Sequence, residues 1–262
     1  MGYSSLRSCI DDLEKNGHLI RISQEVDPNL EMASIHLEEF KNSGKAILFE
    51  NVKGSKYPAV SNIFGTIDRS NFIFRKSIKK VKKLIDLKMN PINGFKDPIS
   101  SFKSAVYATM ALPKKVSFPK DFEEIKISEI PQIKCWPDDG GAFITLPQVY
   151  SEDILNPGIM NSNLGMYRIQ ISGNEFIKDK EIGLHYQIHR GIGIHQKHAV
   201  KNGENLKVSI FIGGPPSHTF AAVMPLPDGM SEITFAGILE GRRFRYALKD
   251  GYTISADADF VI

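Results

Sequence analysis

The stretch "IGLHYQIHRGIGIHQKH", residues 182–198, carries four of the chain's seven histidines: His185, His189, His195 and His198. Whether it folds as helix or strand decides the class of the second half of the chain. As a helix, it would place His185 and His189 four apart on one face, as in zinc proteases. That motif reads HExxH, and "HYQIH" has no glutamate to serve as base. As a strand, it would put His185, Gln187 and His189 on one face and Tyr186 and Ile188 on the other. Gly191 and Gly193 weigh against a helix, and the neighbouring sequence is strand-like. The expectation is therefore a strand, followed by the cation Arg190 and by Gly191, where backbone can approach a ligand closely. A solvated polar sheet face accounts for the same histidines equally well. His195 and His198 have nothing spaced to join them and read as ordinary polar residues.

Outward from this stretch, "GAFITLPQVYS", "MYRIQISG" and "LKVSIFIGG" also read as strands, separated by turn signals at "NPG", "SGNE", "KNGEN" and "GGPP". Several short strands at this spacing suggest a barrel-like sheet. "SHTFAAVMPLP" and "SEITFAGILEG" read as helices entered through Ser217 and Ser231 as N-caps. The first 65 residues instead alternate between helical and strand patterns, which suggests a small α/β unit. "SLRSCIDDLEKN" is helical and stops at Gly17, "LIRISQEV" alternates as a strand, "NLEMASIHLEEFKN" is a second helix, and "AILFENV" and "AVSNIFG" are strands. Residues 72–88, "FIFRKSIKKVKKLIDLK", place Phe74, Ile78, Val81 and Ile85 at helical spacing with lysines opposite, as in a solvated amphipathic helix. Residues 90–130 turn polar and proline-punctuated, and the domain boundary is expected there.

The bulk numbers bound the function. A 262-residue chain with 42% hydrophobic and 24% charged residues has the composition of a globular protein of one or two domains. A net charge of +3 slightly favours anionic ligands and gives no reason to expect nucleic acid. Cys9 and Cys135 are far apart and belong to no CxxC, so neither a disulfide framework nor a thiolate metal cluster is expected. No apolar run approaches the roughly 18–20 residues that span a bilayer, and the start lacks the pattern of a signal peptide. Cytoplasm is the expected location.

Two further clusters carry possible chemistry. In "NSNLGMYRIQ", Asn163 and Arg168 flank Gly165. An asparagine offers a metal its carbonyl oxygen, and an arginine clamps a phosphate or carboxylate through parallel hydrogen bonds. A turn asparagine and a surface arginine would look the same. Glu232 in "GMSEITFAG" falls in a helical first turn, where the macrodipole stabilises it without any ligand. Taken together, an amide oxygen, an imidazole and a carboxylate would suit a manganese- or magnesium-type ion that also binds phosphate.

The ordered series "LEKNGHLIRISQEVDPNLEMASI", "AILFENVKGSKYPAVSNIFGT", "IKCWPDDGGAFITLP", "NLGMYRIQ", "LHYQIHRGIGIH" and "MSEITFAGILEGRR" resembles the UbiD-like decarboxylases, which use prenylated flavin mononucleotide. The resemblance runs from about residue 5 to the last residue. It implies an α+β chain, with an N-terminal α/β domain (1–115) followed by a split β-barrel flavin-binding domain (116–262), and with a C-terminal domain missing. It assigns a metal, Mn2+ with K+ as a further candidate, to Asn163, His189 and Glu232. It assigns the substrate carboxylate to Arg168 and contacts with prenylated FMN to Met166, Tyr167, Arg168, His185, Tyr186, Gln187, Arg190 and Gly191. The implied reaction is reversible decarboxylation of an aromatic or α,β-unsaturated carboxylic acid. The implied partners are that small-molecule acid, a flavin prenyltransferase that supplies the cofactor, and further copies of the chain or a separate C-terminal subunit.

The family pattern continues past "SADADFVI" into an acidic motif that supplies the proton donor. The chain alone is therefore expected to be inactive or weakly active. A flavin-binding module related to flavin reductases, and a non-catalytic subunit of a split decarboxylase, are the alternative readings.

Overall fold

The computed structural model describes residues 2–89, 104–226 and 230–262. The first helix forms where the sequence places it. Helix α1 (Leu6–Lys15) is closed at its start by reciprocal bonds between Ser5 and Ser8, at 3.2 and 3.3 Å. It buries Cys9, Ile10 and Leu13. Strand β1 (Leu19–Val26) follows, then α2 (Glu31–Lys41) and β2 (Ala46–Val52). β2 pairs in parallel with β1 through this helical crossover and in antiparallel fashion with β3 (Ala59–Ser61). The basic run is not one helix. It breaks around residues 74–77 into α3 (Ile67–Ile73) and α4 (Ile78–Met89), with Phe74, Ser77 and Val81 buried at the join. The proline-punctuated stretch begins outside the described residues, at 90–103.

The second half is built from three small sheets. β6 (Gln148–Ser151) lies inside a four-stranded sheet of order β13-β10-β6-β7, with β7 (Asn163–Gly165), β10 (Val208–Ile212) and β13 (Phe260–Val261), antiparallel throughout. β5 (Phe143–Ile144), β8 (Ile169–Gln170) and β9 (Gly183–Leu184) form the second. In the third, β11 (Arg245–Lys249) and β12 (Tyr252–Ser255) make a hairpin through Asp250-Gly251. Both turn residues have positive φ, the geometry that asparagine, aspartate and glycine supply at least cost. β4 (Lys114–Lys115) adds to that hairpin's edge in parallel with β11. Among the described residues these sheets remain separate, with no closed ring of strands.

The opening stretch departs from expectation. Its strand covers only Gly183 and Leu184; residues 188–190 form a turn, and Gly191–Lys201 is an α-helix, α5. His185, Gln187 and His189 therefore do not share a strand face. The helix forms despite its two glycines because Ile192, His195 and Ala199 return to one side and are buried there. The next helix, α6 (Pro216–Val223), begins two residues earlier than Ser217 would set it: Pro215 is its N-cap, and Ser217 is buried inside its first turn. α7 (Glu232–Glu240) starts as expected, with the Ser231 hydroxyl accepting from the Thr234 N–H at 3.2 Å.

The main core does not belong to either half. Cys9, Leu13, Leu19, Leu48, Phe74 and Val81 from the first half pack with Tyr150, Leu164, Phe211, Ala221, Ile233 and Phe235 from the second. Two satellite cores complete the packing. One lies between α2 and the other face of the first sheet, and one around Val149, Ile169, Ile192 and Ile210.

Candidate functional site

Strand β7 runs between α5 and α7, and this sandwich assembles the site. Leu164 is fully buried on it, and its N–H donates to Glu232 Oε2 at 3.3 Å. Glu232 is the first residue of α7, where the unsatisfied N–H groups and the positive dipole end favour a carboxylate. Burial nevertheless raises its pKa, with the Leu164 and Glu232 backbone N–H groups acting against that rise. One residue earlier, the half-buried Asn163 directs its carboxamide at the first turn of α5. A Cβ at Gly191 would lie 2.2 Å from Asn163 Oδ1, so the absence of a side chain at Gly191 lets the amide lie directly against the helix start.

The N-cap of α5 is Arg190, which makes no side-chain capping bond. The turn before it is closed by the Arg190 N–H on the Gln187 carbonyl at 3.0 Å. Arg190 Nε also reaches Gln187 Oε1 at 3.4 Å. His189, Arg190 and Gln187 are exposed at this mouth. Of the three residues expected to hold a metal, the structure thus brings the Glu232 carboxylate onto the backbone N–H of the residue that follows Asn163. It sets His189 two residues before the glycine that packs on Asn163. Among the described residues, no three His, Cys, Asp or Glu side chains form a metal-ligating group; the set at β7 includes an amide.

The expected cofactor contacts line the same region. Tyr167 folds back to Asn163, whose Nδ2 donates to the phenol oxygen at 3.3 Å. Tyr167 meets Tyr186 edge to face, with ring centroids 6.4 Å apart. Met166 is tied by its N–H to the Ala222 carbonyl of α6 at 3.1 Å. His185 donates its backbone N–H to the Arg168 carbonyl at 3.0 Å and sets its ring edge-on to Phe143, 5.7 Å away.

Arg168 lies over the face of that same phenylalanine, with Cζ 3.6 Å from the ring centroid. Its Nη2 donates to Asp139 Oδ1 at 2.6 Å. Burial opposes ionisation of Asp139, but the Arg168 bond and the backbone N–H groups of Trp136 and Cys135 hold its pKa below the usual carboxylate range. Neither Asp139 nor Phe143 was among the sequence candidates. The signal was present in "DDGGAF", a turn-and-strand entry two strands away in sequence from Arg168 but hydrogen-bonded beside it through β5 and β8.

The other two histidines of the opening stretch are structural. His195 is buried, which lowers its pKa against the pull of Asp153, and its Nδ1 is 2.9 Å from Ser151 Oγ. His198 Nδ1 is 2.8 Å from Asp153 Oδ2. Both bonds pin α5 to β6 and the residues just after it, away from the Asn163 side of the helix start.

Comparison with known proteins places this geometry in context. Residues 10–88 match the family domain described as the 3-octaprenyl-4-hydroxybenzoate carboxy-lyase N-terminal domain, and residues 110–262 match its Rift-related domain. A protein of Chlamydia pneumoniae, named as one subunit of a 4-hydroxybenzoate decarboxylase, is 34% identical over 99% of this chain and 44% of its own length. A protein of Archaeoglobus fulgidus is 36% identical over 94% of this chain and 50% of its own length. Among solved structures, the vanillic acid decarboxylase of Sedimentibacter hydroxybenzoicus in its closed form superposes with a TM-score of 0.80 at 25% identity, covering 100% of this chain and 54% of that one. The UbiD-class enzyme HmfF of Pelotomaculum thermopropionicum, in complex with FMN, gives 0.73 at 20% identity, over 98% and 54%. The chain spans about half the length of the relatives it matches.

Proposed function

The chain belongs to the UbiD family of carboxy-lyases, and from that premise we propose that it is the N-terminal and cofactor-binding portion of a decarboxylase. Its substrate class is an aromatic or α,β-unsaturated carboxylic acid, and its cofactors are prenylated FMN and a divalent metal. The observation that carries this reading is the convergence at β7 of the Asn163 amide, packed on Gly191 at the head of α5, with the half-buried Glu232. An amide oxygen, a carboxylate and the imidazole of His189 make a donor set suited to Mn2+, with K+ as a second candidate at the same phosphate. The head of α5, without a side-chain cap, suits that phosphate. Met166, Tyr167, His185, Tyr186, Gln187 and Arg190 form the wall along which the flavin would lie.

When bound, prenylated FMN supplies the electron sink through which the bond to the carboxylate is broken. The chain's own residues bind and orient. Arg168 takes the substrate carboxylate through paired N–H donors, and that charge-assisted hold is lost when the carboxylate departs as CO2. Tyr167 and Tyr186, edge to face, offer an apolar wall that limits water around the leaving group. The proton that replaces CO2 is assigned to an acid in a separate segment or polypeptide, in keeping with the name of the Chlamydia relative, which marks it as one part of a larger enzyme. In this reading the first domain ends near residue 115 and the small sheets of 116–262 are parts of a split β-barrel. The protein works in the cytoplasm, receives its cofactor from a flavin prenyltransferase, and assembles with further copies or a second polypeptide.

The test is the absorbance spectrum and metal content of the chain co-expressed with a flavin prenyltransferase. Bound prenylated flavin with near-stoichiometric manganese is the expected outcome. Unmodified flavin without metal would point instead to a plain flavin-binding module. Asn163→Ala and Glu232→Ala should each abolish metal retention, and unchanged stoichiometry in either variant would refute the ligand assignment.

A further inference from the structure

Arg168 is held more firmly than an exposed arginine ordinarily is. Its guanidinium sits over the face of Phe143, with Cζ 3.6 Å from the ring centroid. That contact seats the group on the ring but leaves the fork free to turn. The bond from Nη2 to Asp139 Oδ1, 2.6 Å long, removes that freedom. Asp139 is itself fixed. Its side chain is 9% exposed, against 42% for Arg168. Its Oδ2 accepts from the Trp136 N–H at 3.1 Å, and its own N–H donates to the Trp136 carbonyl at 3.1 Å. Asp139 is thus locked in a tight turn before it meets the arginine.

Asp139 uses one of the five N–H donors that a guanidinium offers. Among the described residues Arg168 has no other side-chain hydrogen-bond partner, and its side chain is 42% exposed, so its remaining donors are open to a ligand.

From this arrangement we propose that Asp139 is the positioning residue for Arg168, setting the rotation of the guanidinium so that its unused edge meets a substrate carboxylate. The inference rests on the reading of Arg168 as the carboxylate-binding group. It adds that the arginine is organised before substrate arrives, by a carboxylate from the 136–139 turn rather than by the substrate itself. Pre-organisation of this kind reduces the ordering that binding would otherwise require. An arginine freed from its anchor would still attract a carboxylate, but it would have to give up rotamer freedom to bind one in the paired geometry.

The experiment compares benzoate and benzamide binding to the purified chain, followed by NMR titration of the Arg168 Nε–H signal and of backbone amides. For wild type, benzoate shifts the Arg168 signal. In Asp139→Asn, which keeps the shape but removes the charge-assisted bond, benzoate binding should weaken by about 5- to 20-fold while benzamide binding is unchanged. Asp139→Glu, which restores the charge, should recover part of the loss. The Arg168 Nε–H should also exchange faster with water in Asp139→Asn, a readout that needs no ligand. The proposal is overturned if Asp139→Asn binds benzoate as well as or better than wild type, since the aspartate would then be a competitor or a bystander. It is also overturned if benzoate and benzamide lose affinity equally, which would mark a general loss of structure. Arg168→Ala separates the two levels of the argument. Undiminished benzoate binding there would remove the carboxylate role of Arg168 itself, whereas lost binding there with intact binding in Asp139→Asn would remove only the role given to Asp139.

Discussion

A methyl group added at Gly191 would meet Asn163 Oδ1 at 2.2 Å, and one added at Gly193 would meet the Ile188 carbonyl oxygen at 2.3 Å. The two distances are nearly equal but the obstacles differ. Asn163 can rotate its carboxamide away, whereas the Ile188 carbonyl belongs to the backbone of the turn that starts α5. Gly191→Ala is therefore expected to keep the fold, with Tm changed by no more than about 2 °C, and to lose metal retention because Asn163 is turned aside. Gly193→Ala should instead displace the turn. Overpacking of this kind costs about 1–3 kcal/mol, which corresponds to roughly 2–4 °C in Tm for each kcal/mol in a chain of this size. Thermal melts read beside metal analysis distinguish the two. A Gly191→Ala chain that keeps its metal would show that Asn163 does not need this contact. The same two residues explain the misreading of residues 182–198. Glycine lowers helix propensity, but these glycines serve close approaches made by Asn163 and Ile188, and neither approach is visible in local sequence.

Helix α7 carries a carboxylate at each end, and the two behave differently. Glu232 opens the helix beside β7. Glu240 closes it, 4% exposed, with Oε2 accepting from the Ser217 hydroxyl at 2.7 Å and Oε1 buried without a partner among the described residues. Burial pushes its pKa up to about 7; Ser217 and Arg242 oppose the shift and Asp257 adds to it. Because the folded value lies above the unfolded one, Glu240 favours folding while protonated. That contribution is fully present below about pH 4.5 and is lost as pH rises to about 7. The shift corresponds to about 3 kcal/mol at 1.36 kcal/mol per pKa unit. His218, buried and pushed down to about 3, acts in the opposite sense below pH 6.5, so the pH profile of wild type mixes the two groups. The difference between wild type and Glu240→Gln isolates the glutamate. The Gln variant should gain stability relative to wild type as pH rises from 5 to 8, and a pH-independent difference in denaturant melts would contradict the assignment. At this scale the sequence was most legible where periodicity was strong, as in α1, β1, α2 and β2. It failed at Ser217, where the hydroxyl that looked like an N-cap bonds instead to Glu240, a partner 23 residues away.

At the scale of the whole molecule, the apolar faces were readable but their partners were not. The spacing of Ile10 and Leu13 marks a buried helix face without saying what covers it. Likewise, "LKVSIFIGG" marks a strand without saying that Phe211 reaches the first half. The proposed site divides in the same way: Asn163, Glu232 and Arg168 stand in recognisable motifs, while Asp139 meets Arg168 only once the chain has folded. The shared core has a consequence for unfolding. Phe211 is fully buried in it and lies 6.0 Å from Tyr150, centroid to centroid, while Cys9 of α1 is 0% exposed in the same cluster. Burial pushes the Cys9 thiol up to about 12, so it stays unreactive while the fold is closed. Phe211→Ala should cost about 3–5 kcal/mol. Because the two halves share this core, the cost should appear in the first half as well. In a Cys135→Ser background, where Cys9 is the one thiol left, Phe211→Ala should speed labelling of Cys9 by at least about 100-fold, following the opening equilibrium at 1.36 kcal/mol per tenfold. Labelling that stays at the wild-type rate while the second half melts early would mean that the halves open independently. The core would then be a contact surface between two domains rather than a single cooperative unit.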